Sequence, residues 1–390
     1  MKFKKTKKFL FIFLITFLFD LLVSQLFLLD IIKKNKERAF KENLENRIYN
    51  KNYKYTFKEN KTFNSSYNNV PYIIHTNNLG FRDKAVRQLD FNKQYSIVIG
   101  DSFIEGVAVN YENTIVGFLN ENLKEEIKSF EFLNAGVVSY SSYIYLKKIE
   151  NILTNNPSLN IKDVIIFLDK SDIQDDLNYL EEPDTFKNTK ITYVNQRKID
   201  FKEDLIKLDL WRFYTKQTIS GSFFKIVGDQ LEFFARDIRD KFKLSKKLNK
   251  NFFEITKKHT NALRSINNRR HIANYFYGKT WENEGKKSAQ FSIKNLIKLN
   301  KFLDSKDVGM KVILYPWSFE IVESEPRKNY LKYMEKSLNE NNIKYFNFYD
   351  LFLTGDVYSN ISENFIFNDI HYNSKGNKLL AEALFNKISK

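Results

Sequence analysis

The sequence predicts an α/β layer fold with a parallel sheet. Short apolar runs recur at 95–99, 130–134, 163–168, 311–315 and 344–348. Helix-length amphipathic stretches at 114–128 and 142–154 separate the first three runs, and another, 374–388, follows the last. Strands alternating with helices in this way favour parallel strands joined by crossovers.

Each element has a local cause. Tyr95-Ser96-Ile97-Val98-Ile99 is a β-branched run that stops at Gly100. In 114–128, Ile115, Phe118, Leu119, Leu123 and Ile127 fall roughly on one helical face. Asp163-Val164-Ile165-Ile166-Phe167-Leu168 is almost continuously apolar, as a strand covered on both faces must be. Between it and the run at 311 lies a segment, roughly 176–290, with many charges and little strand pattern. It reads as a mostly helical insertion. No internal repeat is visible.

Composition narrows the function classes. Of 390 residues, 43% are hydrophobic and 37 are Phe, which excludes a disordered chain. With no cysteine, disulfides, thiolate metal sites and a Cys nucleophile are excluded. The N-terminus carries Lys2, Lys4, Lys5, Lys7 and Lys8 before an apolar run over 9–32. Twenty-four residues at about 1.5 Å each cross a hydrocarbon core of about 30 Å. The run is too long for a signal-peptide core, and no small-residue cleavage site follows it. We read 1–8 as a cytoplasmic basic segment, 9–32 as a single-pass transmembrane signal anchor and 33–70 as a polar juxtamembrane linker. Residues 71–390 are then a folded domain outside the cytoplasm, periplasmic or extracellular. Asp20, inside the run, is either a tolerated polar residue or a contact to a membrane partner.

Four clusters carry chemistry, all at the C-terminal ends of expected strands, where sites in open α/β sheets collect. Gly100-Asp101-Ser102-Phe103-Ile104-Glu105-Gly106 places a Ser on a tight strand-to-helix turn. Such a turn presents a nucleophile and its own N–H, or equally an ordinary helix cap. Asn134-Ala135-Gly136 offers a backbone N–H at a glycine, a second oxyanion donor or a plain loop. Asp369-Ile370-His371 precedes the final helix, and His371 is the one histidine of four with a carboxylate two residues away in a turn. Together with Ser102 it completes a Ser/His/Asp set. Asp169, Asp172 and Asp175 form an acidic turn with no second cluster to complete a metal shell, so no metal and no cofactor is expected.

These blocks resemble the SGNH (GDSL-type) hydrolase superfamily. The residues that carry the resemblance are Gly100-Asp101-Ser102 with Gly106, Asn134-Ala135-Gly136, Asp369 with His371, and upstream Asn77-Asn78-Leu79-Gly80-Phe81-Arg82. The resemblance covers about 77–175 and 311–388. It implies a three-layer flavodoxin-like fold and acyl-ester chemistry. Ser102 is then the nucleophile, His371 the base and Asp369 its partner, with Ser102, Gly136 and Ser171 around the oxyanion. Two positions depart from the family. Ser171 stands where an Asn usually completes the oxyanion hole, and Asn368 stands three residues before His371, where many members have Asp.

Membrane-tethered relatives of this kind imply an acyl-ester substrate on an envelope polysaccharide, and a membrane acyltransferase as a possible partner. The competing reading is a degenerate SGNH domain that binds glycan or that partner without catalysis. Charge adds a surface. The chain's net +16 is concentrated in 201–300, with 22 Lys+Arg against 10 Asp+Glu, and in 1–50, with 11 against 5. That favours anionic lipid or acidic glycan at the insertion, with Lys246, Lys247, Arg269 and Arg270 as contacts, over nucleic acid. Tyr315-Pro316-Trp317 reads as core aromatics or a sugar-stacking wall. Arg82 reads as a ligand for an acid group or as the partner of Asp83 or Asp101. Arg264, Arg269, Arg270 and His271 read as a solvated basic face.

Overall fold

The computed structural model describes residues 46–181 and 219–389, apart from 51, 54, 69, 124–128, 250 and 269, together with 15, 16, 18–20 and 23. The chain divides into two compact units, Met1–Glu45 with Asn188–Phe252, and Asn46–Lys187 with Phe253–Lys390. The expected anchor, 9–32, lies outside the described residues except at six positions. Among the described residues no helix is long and apolar enough to cross a membrane. Residues 182–218 lie outside them as well.

The larger unit is organised on an eight-stranded sheet. Five strands are parallel: β6 (Gln94–Ile99), β7 (Phe130–Asn134), β8 (Ile161–Leu168), β9 (Gly309–Leu314) and β10 (Tyr345–Asn347). They lie in the order β10-β9-β8-β6-β7. Numbered along the chain this is 2-1-3-4-5, the flavodoxin-like order, with its switch point between β6 and β8. β6 and β8 are buried along nearly their whole length, as their unbroken apolar runs require.

The expected parallel sheet is present, and the structure extends it at one edge with antiparallel strands. β3 (Thr62–Tyr67), β4 (Val70–Thr76) and the two-residue β5 (Arg82–Asp83) extend the sheet antiparallel beyond β7. A small pair, β1 (Arg47–Tyr49) and β2 (Tyr55–Phe57), precedes them. The linker expected over 33–70 therefore carries three strands among its described residues, β1, β2 and β3. Its polar look is physical: β3 reads Thr-Phe-Asn-Ser-Ser-Tyr and alternates exposed with half-buried positions, so it needs few apolar residues.

Helices cover both faces. α1 (Ser102–Glu105) and α2 (Ile115–Glu121) follow β6, α3 (Ser142–Asn155) follows β7, and α4 (Asp172–Glu181) follows β8. In the smaller unit, α5 (Ile219–Leu248) exposes Leu231, Ile238 and Phe242 on one stripe. Returning to the larger unit, α6 (Lys257–Asn267) and α7 (Lys286–Asp304) lead to β9. α8 (Ser318–Val322), α9 (Lys332–Glu340), α10 (Val357–Asn364) and α11 (Ser374–Ile388) complete the chain. α3, α4 and α7 pack together, as do α2 and α11. Right-handed crossovers put these two groups on opposite faces, which gives three layers. Within the span 176–290, residues 253–290 thus belong to the sheet-bearing unit and 188–252 to the other.

Candidate active site

The β6–α1 turn is shaped by two residues with separate tasks. Asp101 caps α1, its Oδ1 accepting the Phe103 N–H at 3.0 Å. Ser102, freed from capping, points its hydroxyl out of the turn. Gly106 ends α1 in the left-handed region at φ 79°, where a Cβ would stand 2.4 Å from Thr114 Cγ2. The helix-cap reading of the Gly-Asp-Ser turn is therefore realised by Asp101, which leaves the Ser102 side chain outside the cap.

The second half of the site is the turn 366–371. It is closed by the Phe365–Tyr372 bridge and by the Ile366 N–H donated to the His371 carbonyl at 2.9 Å. α6 braces it from behind: Asn268 Nδ2 donates to the Asn368 carbonyl at 2.6 Å and Ser265 Oγ to that of Ile366 at 3.2 Å. Held this way, His371 Nε2 lies 2.7 Å from Ser102 Oγ, and His371 Nδ1 lies 2.5 Å from Asp369 Oδ1. Ser102, His371 and Asp369 thus form one hydrogen-bonded line. The imidazole is 2% exposed and packs on the Phe103 ring, with centroids 4.7 Å apart. Val107, Tyr372 and Asn377 stand with Ser102 and His371 around a shallow surface dimple beside the hydroxyl.

The oxyanion side differs from the expectation. Ser102 is the first residue of α1, so its N–H has no partner within the helix. Gly136 is close by, and a Cβ there would stand 2.6 Å from the Glu105 amide nitrogen. Its own N–H, however, donates to Asn134 Oδ1 at 3.1 Å. Gly136 therefore serves close packing against α1 and is not the free donor the resemblance implies. Ser171 does reach the site, 3.4 Å from Asp101 Oδ2, but its hydroxyl sits 2.6 Å from Asp169 Oδ1, and its N–H donates to the same oxygen at 2.7 Å.

Asp169 is the hub beneath Ser171. Its Oδ2 accepts from Tyr315 Oη at 2.7 Å and Trp317 Nε1 at 2.9 Å. Tyr315 and Trp317 are 1% and 0% exposed, so they are core and not a sugar-stacking wall. Burial, reinforced by neighbouring Asp169, pushes Asp101 well above the usual carboxylate range. Asp101 Oδ2 is also 3.2 Å from Ser102 Oγ. Asp369 behaves oppositely. Burial would raise it, but the His371 hydrogen bond and charge, with Tyr67, hold it below the ordinary value. Among the described residues no three His, Asp or Glu are grouped to hold a metal ion.

Three residues take roles the sequence did not reveal. Arg82 binds neither Asp83 nor Asp101. Its buried guanidinium donates to the carbonyls of Glu105, Gly106 and Val109 at 2.7, 2.6 and 2.5 Å, and so secures the end of α1. Tyr67 Oη and Asn68 Nδ2 reach Asp369 Oδ2 at 3.1 and 2.6 Å. A Tyr-Asn turn at the end of a polar strand carries no signal of that. Of the basic group 264–271, Arg264 is 8% exposed and lies 5.4 Å from the Phe367 ring, so it is not a solvated face; Arg269 lies outside the described residues.

No family model matches the sequence, and no curated protein matches it. Among solved structures the chain is similar to the psychrotrophic esterase EstA from Pseudoalteromonas sp., at 11% identity and a TM-score of 0.37, over 76% of this chain and 96% of that one. It is similar to a member of the lipolytic G-D-S-L family from Veillonella parvula, at 12% identity and a TM-score of 0.37, over 76% and 99%. It is likewise similar to a lipase/acylhydrolase from Enterococcus faecalis, at 11% identity and a TM-score of 0.36, over 76% and 95%.

Proposed function

We propose that the chain is a serine ester hydrolase or O-acyltransferase of the SGNH type, acting on O-acyl groups of an envelope polysaccharide from a membrane-anchored position outside the cytoplasm. One observation carries the chemistry: the unbroken line Ser102–His371–Asp369, at 2.7 and 2.5 Å. Ser102 Oγ attacks the ester carbonyl as His371 Nε2 takes its proton. The ester C–O bond then breaks, and His371 returns the proton to the departing alcohol. Water, or a sugar hydroxyl in a transferase, next attacks the acyl-serine with His371 again as base. Asp369 keeps the imidazole in the tautomer that presents Nε2 to Ser102. The Ser102 N–H is the donor left for the oxyanion.

The test is turnover of p-nitrophenyl acetate, a short activated ester. Ser102→Ala should bring turnover to the uncatalysed background, and unchanged turnover would overturn the assignment. The location and substrate rest on sequence features: the basic flank and apolar run of 1–32 and the basic excess of 201–300. Removing the charges of Lys246, Lys247, Arg269 and Arg270 should weaken association with anionic liposomes or acidic polysaccharide. Unchanged association would make the charge merely compositional.

A second reading, an SGNH domain that binds glycan or a membrane acyltransferase without catalysis, is favoured by the committed donors at Gly136 and Ser171. A fluorophosphonate separates the two readings, since only an activated Ser102 becomes covalently labelled.

A further inference from the structure

Asp369 sits in a turn, and nothing in that turn fixes its outer oxygen. Oδ1 is held locally, by His371 Nδ1 at 2.5 Å and by the His371 N–H at 3.0 Å. Oδ2 is held from the opposite end of the chain. The β3–β4 hairpin pairs Tyr67 with Val70, so the turn between them is two residues long, and Asn68 in it has φ 48°. Its tip delivers the Tyr67 hydroxyl and the Asn68 amide to Oδ2 at 3.1 and 2.6 Å. The Tyr67 ring also meets the His371 ring edge-on, with centroids 5.1 Å apart at 85°. Each carboxylate oxygen therefore receives two donors, which fixes the plane of the group and its ionised form.

We propose that Tyr67 and Asn68 are positioning residues of the catalytic line: the hairpin tip locks the Asp369 carboxylate in the orientation that aims His371 at Ser102. The inference rests on the esterase reading and goes beyond it. It assigns a working role to the antiparallel edge of the sheet. The groups facing Asp369 are His371 from its own turn and Tyr67 and Asn68 from the hairpin. Asp101 lies beyond Ser102, and Arg264 lies against Phe367, two residues before Asp369.

Two variants remove the donors with little else. Tyr67→Phe keeps the ring on His371, and Asn68→Gly keeps a residue at ease with positive φ. Loss of a hydrogen bond to a charged group should lower kcat about threefold for Tyr67→Phe and about tenfold for Asn68→Gly, p-nitrophenyl acetate being the substrate. The decisive readout is the pH profile of kcat/KM. With fewer donors the carboxylate becomes more basic and draws the imidazole proton harder, so the acid limb moves to higher pH in both variants. A limb that stays in place, whatever happens to kcat, would mark the hairpin as plain support for the fold and overturn the proposal. If wild type and Ser102→Ala hydrolyse the ester equally, the esterase reading fails by itself. The hairpin is then judged by nuclear magnetic resonance titration of the His371 ring in the same variants. Movement to higher pH upholds the lock, and no movement refutes it.

Discussion

The parallel half of the sheet and its antiparallel edge make unequal contributions to one site. β6, β8 and the turn before α11 bring Ser102, Asp169 and His371 to the switch point, so the proposed nucleophile and base come from the half with flavodoxin-like order. β1 to β5 bring no reacting group. They hold those that react: Arg47 on Glu105, Arg82 on the carbonyls ending α1, and Tyr67 and Asn68 on Asp369. The lesson is that the proposed nucleophile and base are placed by local turns, while their orientation is fixed by contacts spanning most of the chain.

The largest expected effect tests the reactive half alone. Asp369→Asn keeps the shape but reverses the donor at Oδ1, so the imidazole loses both tautomer and charge support. By analogy with serine proteases kcat should fall by about 10⁴. A loss under about tenfold would mean that His371 does not depend on Asp369 and would dissolve the distinction between reacting and orienting halves.

The difference between the halves also explains what could be read from sequence. The five parallel strands were legible because each is an apolar run ending at a turn; 130–134 is the observed β7, and 374–388 the observed α11. Ser102, Asp369 and His371 were legible because each sits in a short block with local character. β3 and β4 were not, since β3 is polar and Pro71 near the start of β4 argues against a strand. Tyr67 and Asn68 were hidden by a separation of some 300 residues from Asp369. Gly136 was placed correctly and its chemistry misjudged, because whether an N–H is free depends on Asn134's side chain.

The next effect falls on stability. Glu105 is 1% exposed in α1, lies 3.3 Å from Arg47 Nη2, and accepts the Val138 N–H at 2.7 Å. Arg47→Met would leave that buried carboxylate without its cation and should cost about 3 kcal/mol in a urea titration. Adding Glu105→Gln should recover much of the loss. If the single variant costs nothing, the edge does not hold α1 through this pair.

At the seam between the halves stands Lys148, fully buried in α3. Its Nζ donates to the Ala135 carbonyl at 3.0 Å and to Tyr140 Oη at 3.2 Å, and faces the Phe81 ring at 5.2 Å. Burial pushes its amine down to about 7 from 10.5, with Glu105 opposing the shift. Above pH 7 the unfolded chain keeps a proton that the folded chain has released, so stability rises with pH until about 10.5. Below 7 both states are protonated and the burial cost is expressed in full. Between pH 7 and 9 wild type should therefore gain about 2 kcal/mol over Lys148→Met. Parallel pH dependence in the two proteins would show that the seam admits water to the amine.

The smallest effect concerns Ser171 and sharpens the comparison from within the parallel half. Were Ser171 an oxyanion donor, Ser171→Ala would cost roughly 3–4 kcal/mol of transition-state stabilisation, a fall of 10² or more in kcat. In the structure its hydroxyl is committed to Asp169, which is itself tied to Tyr315 and Trp317. The substitution therefore removes a link in a buried chain and leaves the oxyanion to the Ser102 N–H, so kcat should fall by less than about tenfold. Asp101 should sense the change first, because Ser171 Oγ stands 3.4 Å from the oxygen that faces Ser102. A hundredfold fall would return Ser171 to the oxyanion hole. The parallel half would then supply a second oxyanion donor, and the edge would keep its contacts to Glu105, to the end of α1 and to Asp369.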